Sequence, residues 1–172
     1  MAKLTIDGKE IEVPDGTSLF DACHEARGEE LPHFCYHPDL SIAGVCRLCQ
    51  VEVEGMPKLT IACNTTVRDG MVVHTRSDKV RQASTQILEM HLINHPVDCP
   101  ICDQAGECGL QDQYMGHGLY DAKVEMESKV NKGKAEVIGP HVILDQERCV
   151  LCSRCVRFCN EVTGTGELGI FN

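Results

Sequence analysis

Twelve cysteines lie along this chain of 172 residues, eleven of them in three tight groups. Cys35, Cys46, Cys49 and Cys63 form the first group, Cys99, Cys102 and Cys108 the second, and Cys149, Cys152, Cys155 and Cys159 the third, while Cys23 stands alone. His95 joins the second group, so the stretch H-P-V-D-C-P-I-C-D-Q-A-G-E-C gathers four metal-binding side chains into one turn-rich loop. The amino terminus, M-A-K-L-T-I-D-G, alternates like a strand rather than reading as a cleavable leader, which disfavours an oxidising compartment and a disulfide framework. In a reducing compartment, cysteines grouped this tightly are expected to hold metal.

Zinc and iron–sulfur clusters both take thiolates, and one CxxC does not separate them. Zinc sites usually pair two short chelates around a single ion. The run Cys149-x2-Cys152-x2-Cys155 offers three thiolates at steps of three, which can wrap a cubane with one sulfur on each of three irons, as in bacterial ferredoxins. Cys35-x10-Cys46-x2-Cys49-x13-Cys63 combines a long loop, a short chelate and a distant fourth thiol. It resembles the plant-type [2Fe–2S] arrangement, but has ten residues in the first gap where that type has four. In A-G-V-C-R-L-C, Gly44 is expected to let the backbone approach inorganic sulfur or simply to turn the loop, and Arg47 to offset cluster charge.

The elements that must position these donors follow from periodicity. L-T-I and I-E-V alternate around Asp7-Gly8, a dipeptide suited to a tight hairpin turn, and V-E-V and L-T-I repeat the pattern around Glu54 to Lys58. Asp69-Gly70 marks a further turn. Thr17 or Ser18 can cap a short helix whose Leu19, Ala22, Cys23 and Ala26 share one face, with Gly28 ending it. Cys23 falls on that apolar face and is expected to be a buried, inert thiol. Ser77-Asp78 opens a second helix with Val80, Ala83, Ile87 and Met90 as its apolar face. His95 precedes Pro96, so this helix should end there and release the imidazole into the cysteine loop. His91, one turn earlier, reads as a packing residue, and Gly116 to Gly139 reads as a polar connector.

Charge and motifs narrow the function. A formal charge of −10 disfavours a nucleic-acid surface, and no apolar run is long enough to span a bilayer. There is no GxGxxG, no GxxxxGK[ST] and no nucleophile–base constellation, so nicotinamide binding and hydride chemistry are not expected on this chain.

C-R-L-C with Cys35 and Cys63, the H-P-V-D-C-P-I-C-D-Q-A-G-E-C-x-L-Q-D block, and C-V-L-C-S-R-C-V-R-F together resemble the N-terminal region of the G-type iron–sulfur subunit of bacterial respiratory complex I. The resemblance spans essentially the whole chain. It extends, less specifically, to electron-transfer regions of iron-only hydrogenases and of NAD-linked hydrogenases or formate dehydrogenases. It implies an α+β chain: a β-grasp, ferredoxin-like [2Fe–2S] domain over 1–76, a helical His/Cys3 [4Fe–4S] module with connector over 77–138, and the start of a [4Fe–4S] domain over 139–172.

The implied ligands are Cys35, Cys46, Cys49 and Cys63 for [2Fe–2S], and His95, Cys99, Cys102 and Cys108 for the first [4Fe–4S] cluster. Cys149, Cys152 and Cys155 would serve a second [4Fe–4S] cluster, with the fourth ligand in a C-P segment beyond Asn172. Cys159, followed by Asn160 rather than proline, is the alternative fourth ligand. The chain is accordingly expected to be a fragment. An imidazole in place of a thiolate lowers the negative charge on a cluster and favours its reduced form. Asp103, Gln104 and Glu107 are assigned no chemistry.

The expected function is electron relay within an NADH:quinone oxidoreductase. A flavin-bearing NADH-oxidising subunit would supply electrons and quinone-side iron–sulfur subunits would receive them. The chain would lie peripherally on the cytoplasmic side of the inner membrane as part of a membrane complex, without inserting into the bilayer itself and without nucleic acid. The alternatives are a diaphorase subunit of an NAD-linked hydrogenase or formate dehydrogenase and, from another class, a zinc-stabilised interaction module.

Overall fold

A computed structural model describes residues 1–120, 123–130 and 132–171. The chain divides into two compact units, one comprising 1–84 with 152–172 and the other 85–151.

In the first unit, β1 (Ala2–Ile6) and β2 (Lys9–Val13) pair antiparallel around Asp7 and Gly8, whose φ of 49° and 83° give the hairpin its tight turn. Helix α1 (Leu19–Arg27) follows. The Ser18 hydroxyl accepts from the Asp21 N–H at 3.1 Å at its start, and Gly28 closes it at φ 74°. β3 (Gln50–Val53) and β4 (Thr60–Ile61) form the second hairpin. β5 (Met71–His74) lies between the two hairpins, parallel to β1 and antiparallel to β3, giving the order β2-β1-β5-β3-β4.

β5 was not anticipated beyond the Asp69-Gly70 turn. Its four residues alternate for too short a run to stand out, and its place depends on a pairing with β1 some sixty-seven positions away, Leu4 with Met71. Side chains fix that pairing. The Asp69 carboxylate accepts from the Lys3 N–H at 2.9 Å, and Asp7 accepts from the Thr75 N–H at 2.8 Å and from its hydroxyl.

Leu4, Ile6, Val13, Val51, Val53 and Val73 pack with Leu19, Phe20, Ala22 and Cys23 of α1 into one core. Cys23 is fully buried there, and burial pushes its thiol up to about 12.

Helix α2 (Asp78–Leu92) starts where expected, with the Ser77 hydroxyl 3.4 Å from the Val80 N–H. Its buried stripe is Val80, Ser84 and Leu88, with Ala83 and Ile87 half-buried. Met90, expected on the apolar face, is 68% exposed, because it stands about 200° around the helix from Leu88.

The second unit adds a 3₁₀ turn at Cys99–Ile101, helix α3 (Gly109–His117), a 3₁₀ turn at Met126–Ser128 and a hairpin of β6 (Glu136–Val137) with β7 (Ile143–Leu144). Helix α3 was not legible: it starts on a glycine, contains another, and buries only Leu110. The expected connector, 116–139, thus holds the end of α3 and the strand β6, while its Asp121, Ala122 and Asn131 lie outside the described residues. Helix α4 (Arg154–Glu161) returns to the first unit. Among the described residues no helix is long and apolar enough to cross a membrane.

Cys23→Ser, which places a hydroxyl in this apolar core, should lower stability by about 1–3 kcal/mol in urea unfolding. Under native conditions the Cys23 thiol should also resist alkylation at neutral pH. Rapid labelling of Cys23 in the folded protein would contradict its burial.

Candidate metal centres

The first cysteine group sits at one side of the sheet core. Cys35 and Cys46 flank the loop that precedes β3, Cys49 abuts that strand, and Cys63 lies in a 3₁₀ turn, Ala62–Asn64, directly after β4. The Ala62 N–H donates to the Cys49 carbonyl at 2.9 Å, so the β3–β4 hairpin itself brings the last two together. Phe20 of α1 packs against His33 and Tyr36 on either side of Cys35, at ring separations of 5.0 and 4.3 Å. Leu48, fully buried, anchors the short span between Cys46 and Cys49.

The Cys35 and Cys46 sulfurs lie 3.3 Å apart and share one S–H, and Cys49 and Cys63 stand close enough to perturb each other's thiols. Bonding from Cys46 holds the Cys35 thiol down to about 5, helped by the backbone N–H groups of Cys46 and Val45, while the Cys46 thiol is raised in return. Bonding from Cys63 likewise holds Cys49 down to about 7, and Cys63 rises. All four residues are at most 5% exposed. Among the described residues, no three His, Cys, Asp or Glu side chains converge as a single-ion site.

Backbone geometry serves the same loop. Gly44 has φ 63°, and a Cβ there would meet Ile61 Cδ1 at 3.0 Å, so both conformation and space call for glycine. Arg47 is exposed, with φ 57°.

In the second unit, α2 ends at Leu92 and His95 lies just beyond it. His95, Cys99 and Cys108 line a cavity of about 820 Å³ together with Leu110, Tyr114 and Lys129. Cys102 follows the 3₁₀ turn, its N–H donating to the Cys99 carbonyl at 3.2 Å, and is not among the lining residues. His95 Nδ1 accepts from the Val97 N–H at 3.1 Å. Burial, and then the nearby Lys129 charge, hold its pKa below the usual imidazole range, so the ring is neutral at pH 7. His91 is turned back along the helix, with Nδ1 2.8 Å from the Ile87 carbonyl.

Lys129 was not singled out from its Lys/Glu-rich surroundings. It is buried, and its ammonium donates to the carbonyls of Leu92 at 2.9 Å and His95 at 2.7 Å, tying the end of α2 to the histidine. Lys134 bridges Asp98 at 2.7 Å and Glu147 at 2.9 Å.

The third group straddles the division between the units after Leu151. In the second unit Cys149 is exposed, its sulfur 3.4 Å from the Leu151 N–H. In the first unit, Cys155 and Cys159 stand one turn apart on α4, Cys155 exposed and Cys152 and Cys159 half-buried. The Cys159 carbonyl accepts from the Thr163 hydroxyl at 2.9 Å and from the Thr165 and Gly166 N–H groups, closing the C-terminus of α4.

The first group fits an iron–sulfur cluster: four buried thiols, two of them held down in pKa by neighbouring thiols and backbone N–H groups. Comparison with known proteins agrees. Residues 1–78 match the family of 2Fe-2S iron–sulfur cluster binding domains. Residues 85–123 match the NADH-ubiquinone oxidoreductase-G iron–sulfur binding region, and 139–172 the ferredoxin-like domain of NADH-quinone oxidoreductase subunit 3.

The G-type subunit of NADH-quinone oxidoreductase from Rickettsia bellii is 47% identical over 98% of this chain, and that from Streptomyces coelicolor 49% identical over 95%. The mitochondrial 78 kDa subunit of NADH-ubiquinone oxidoreductase of Neurospora crassa is 44% identical over 97%. The chain spans 20–24% of the length of these three relatives. Among solved structures, the crystal structure of an NAD+-reducing [NiFe]-hydrogenase in the H2-reduced state superposes with a TM-score of 0.85 at 28% identity, covering 99% of this chain and 70% of that one. Over nearly its whole length the chain corresponds to the N-terminal iron–sulfur region of the G-type subunits of NADH-quinone oxidoreductase, and its cofactors are [2Fe–2S] and [4Fe–4S] clusters.

Gly44→Ala combines a left-handed backbone with a close approach to Ile61 and should cost about 1–2 kcal/mol. Denaturant unfolding of the apo-protein measures that cost. Gly55→Ala serves as the reference, because Gly55 also has positive φ but its added Cβ meets nothing within 4 Å.

Proposed function

We propose that the chain relays single electrons as the iron–sulfur part of an NADH:quinone oxidoreductase. The observation that carries this reading is the gathering of four buried cysteines, Cys35, Cys46, Cys49 and Cys63, with the Cys35 and Cys46 sulfurs 3.3 Å apart, in a stretch similar to 2Fe-2S cluster binding domains. Zinc takes the same four thiols, so the likeness of 1–78 to 2Fe-2S cluster binding domains is what favours iron here.

Cys35, Cys46, Cys49 and Cys63 would therefore hold the [2Fe–2S] cluster of a domain spanning 1–76. His95, Cys99, Cys102 and Cys108 would hold a [4Fe–4S] cluster in a module over 77–138. Cys149, Cys152 and Cys155 would hold another, in a domain beginning at 139, with its fourth ligand downstream of Asn172 or at Cys159. Bound there, the clusters accept and pass one electron at a time.

The chain's own residues set where and how tightly the electron rests. Val45, Cys46, Ala62 and Cys63 supply N–H groups to the Cys35 and Cys49 sulfurs. Pro96 keeps His95 out of the helix, Lys129 fixes its carbonyl, and its neutral ring is ready to ligate. Substrate chemistry on this reading belongs to partners: a flavin-bearing NADH-oxidising subunit upstream and quinone-side iron–sulfur subunits downstream. The chain would work peripherally, on the cytoplasmic face of the membrane. The likeness to an NAD+-reducing hydrogenase favours a second reading, an electron-transfer subunit in which hydrogen rather than quinone is the other partner.

Protein purified anaerobically should be brown, with iron and acid-labile sulfide in excess of zinc; a colourless zinc protein would refute the relay. His95→Cys should keep a cluster at the second site while lowering its midpoint potential, since a ligand charge is restored. Redox-titrated EPR showing an equal or higher potential counts against His95 as ligand. Among the described residues, 85–151 buries only two apolar side chains, Leu88 and Leu110. Removing iron should therefore raise amide exchange there well before it does so in the sheet.

A further inference from the structure

We infer that Arg157 is a positioning residue that couples the first and third centres and raises the potential of the first, an inference resting on the ligand assignment proposed above. Arg157 lies on α4 and is only 9% exposed. Its guanidinium donates to the Cys35 carbonyl, to the Ser41 carbonyl at 2.5 Å and, more weakly, to the Cys152 carbonyl at 3.4 Å. Nε reaches the Ser153 hydroxyl at 3.2 Å. One cation thus touches the backbone of a proposed ligand from each of two centres.

Burying a guanidinium is costly, and here every group it hydrogen-bonds is a carbonyl or hydroxyl oxygen, with a carboxylate, Glu161, acting only through space. That carboxylate, one turn on, has its pKa lowered by the Ser41 hydrogen bonds and then by the Arg157 charge. Glu161 is engaged by Ser41, accepting from its N–H at 2.8 Å and from its hydroxyl. An anionic cluster held by Cys152 would supply compensation that these dipoles leave incomplete, as would one held by Cys35. Reciprocally, the cation favours the more negative, reduced form of that cluster.

The same contacts give the long first gap a role. Arg154 donates to the Tyr36 carbonyl at 2.5 Å, so Tyr36, Ser41 and Cys35 together receive α4. The extra residues between Cys35 and Cys46 form the seat of the helix that follows Cys152.

The test is an EPR redox titration of the [2Fe–2S] signal in the 172-residue chain, comparing parent, Arg157→Gln, Arg157→Lys and Arg154→Gln. Arg157→Gln should lower the midpoint potential, and Arg157→Lys, which keeps the charge but not the fork, should fall between it and the parent. Arg154→Gln, which loosens the helix seat without touching Cys35, should match the parent. An unmoved potential in Arg157→Gln, or equal shifts in Arg157→Gln and Arg154→Gln, overturns the inference. If Arg157→Gln loses the cluster, the comparison of Arg157→Lys with Arg154→Gln decides: a lower potential in the lysine variant supports coupling, and equality refutes it. A parent chain without a [2Fe–2S] signal would instead overturn the proposed function, and this inference with it.

Discussion

Four sulfur atoms that must carry charge when they bind metal are enclosed in an apolar wall. Cys35, Cys46, Cys49 and Cys63 are as buried as the valines of the sheet, where an unpaired thiolate would be prohibitive. The structure answers by gathering the sulfurs, Cys35 lying 3.3 Å from Cys46, and backbone N–H groups help to hold down the Cys35 and Cys49 thiols. That requirement shapes the surrounding chain. It needs left-handed backbone at Gly44 and Arg47 to aim the amides, Leu48 as an apolar anchor, and the β3–β4 hairpin to carry Cys63 back to Cys49.

The second unit meets its donors differently. It has little apolar interior among the described residues and uses charge instead: Lys129 on the carbonyls of Leu92 and His95, and Lys134 between Asp98 and Glu147. These bonds hold a loop whose donors are half-exposed, where side-chain packing alone would fix little. Such a unit is expected to gain much of its order from a bound cluster, as small metal-dependent domains do. The first unit, with a sheet of five strands and a capped helix, has an order of its own.

The contrast bears on electron transfer. On the proposed reading, a relay needs each centre at a fixed place and a set potential, and the chain would contribute through what surrounds the donors: a neutral imidazole at His95, buried cations at Lys129 and Arg157, and amides around Cys35 and Cys49. Each would change the charge at or near a bound cluster, and so its potential, without altering the ligand count.

By itself the sequence determined the donor groups, the two hairpins flanking the ferredoxin-like core, the capped α1 and the start of α2. Those features are local: cysteine spacing, Asp7-Gly8, Ser18 with Gly28, and Ser77-Asp78 each act within a few residues. Tertiary structure alone decided that β5 lies between β1 and β3, that the buried stripe of α2 runs through Ser84 rather than toward Met90, and that α3 forms around a single buried leucine. It also decided that the Cys35 sulfur meets that of Cys46, and that two ordinary-looking basic residues, Lys129 and Arg157, reach carbonyls of His95 and of Cys35 across 34 and 122 positions. Periodicity reports a residue's side of its own element. Pairing, burial of charge and long-range capping depend on which other element arrives opposite, and only the folded chain specifies that.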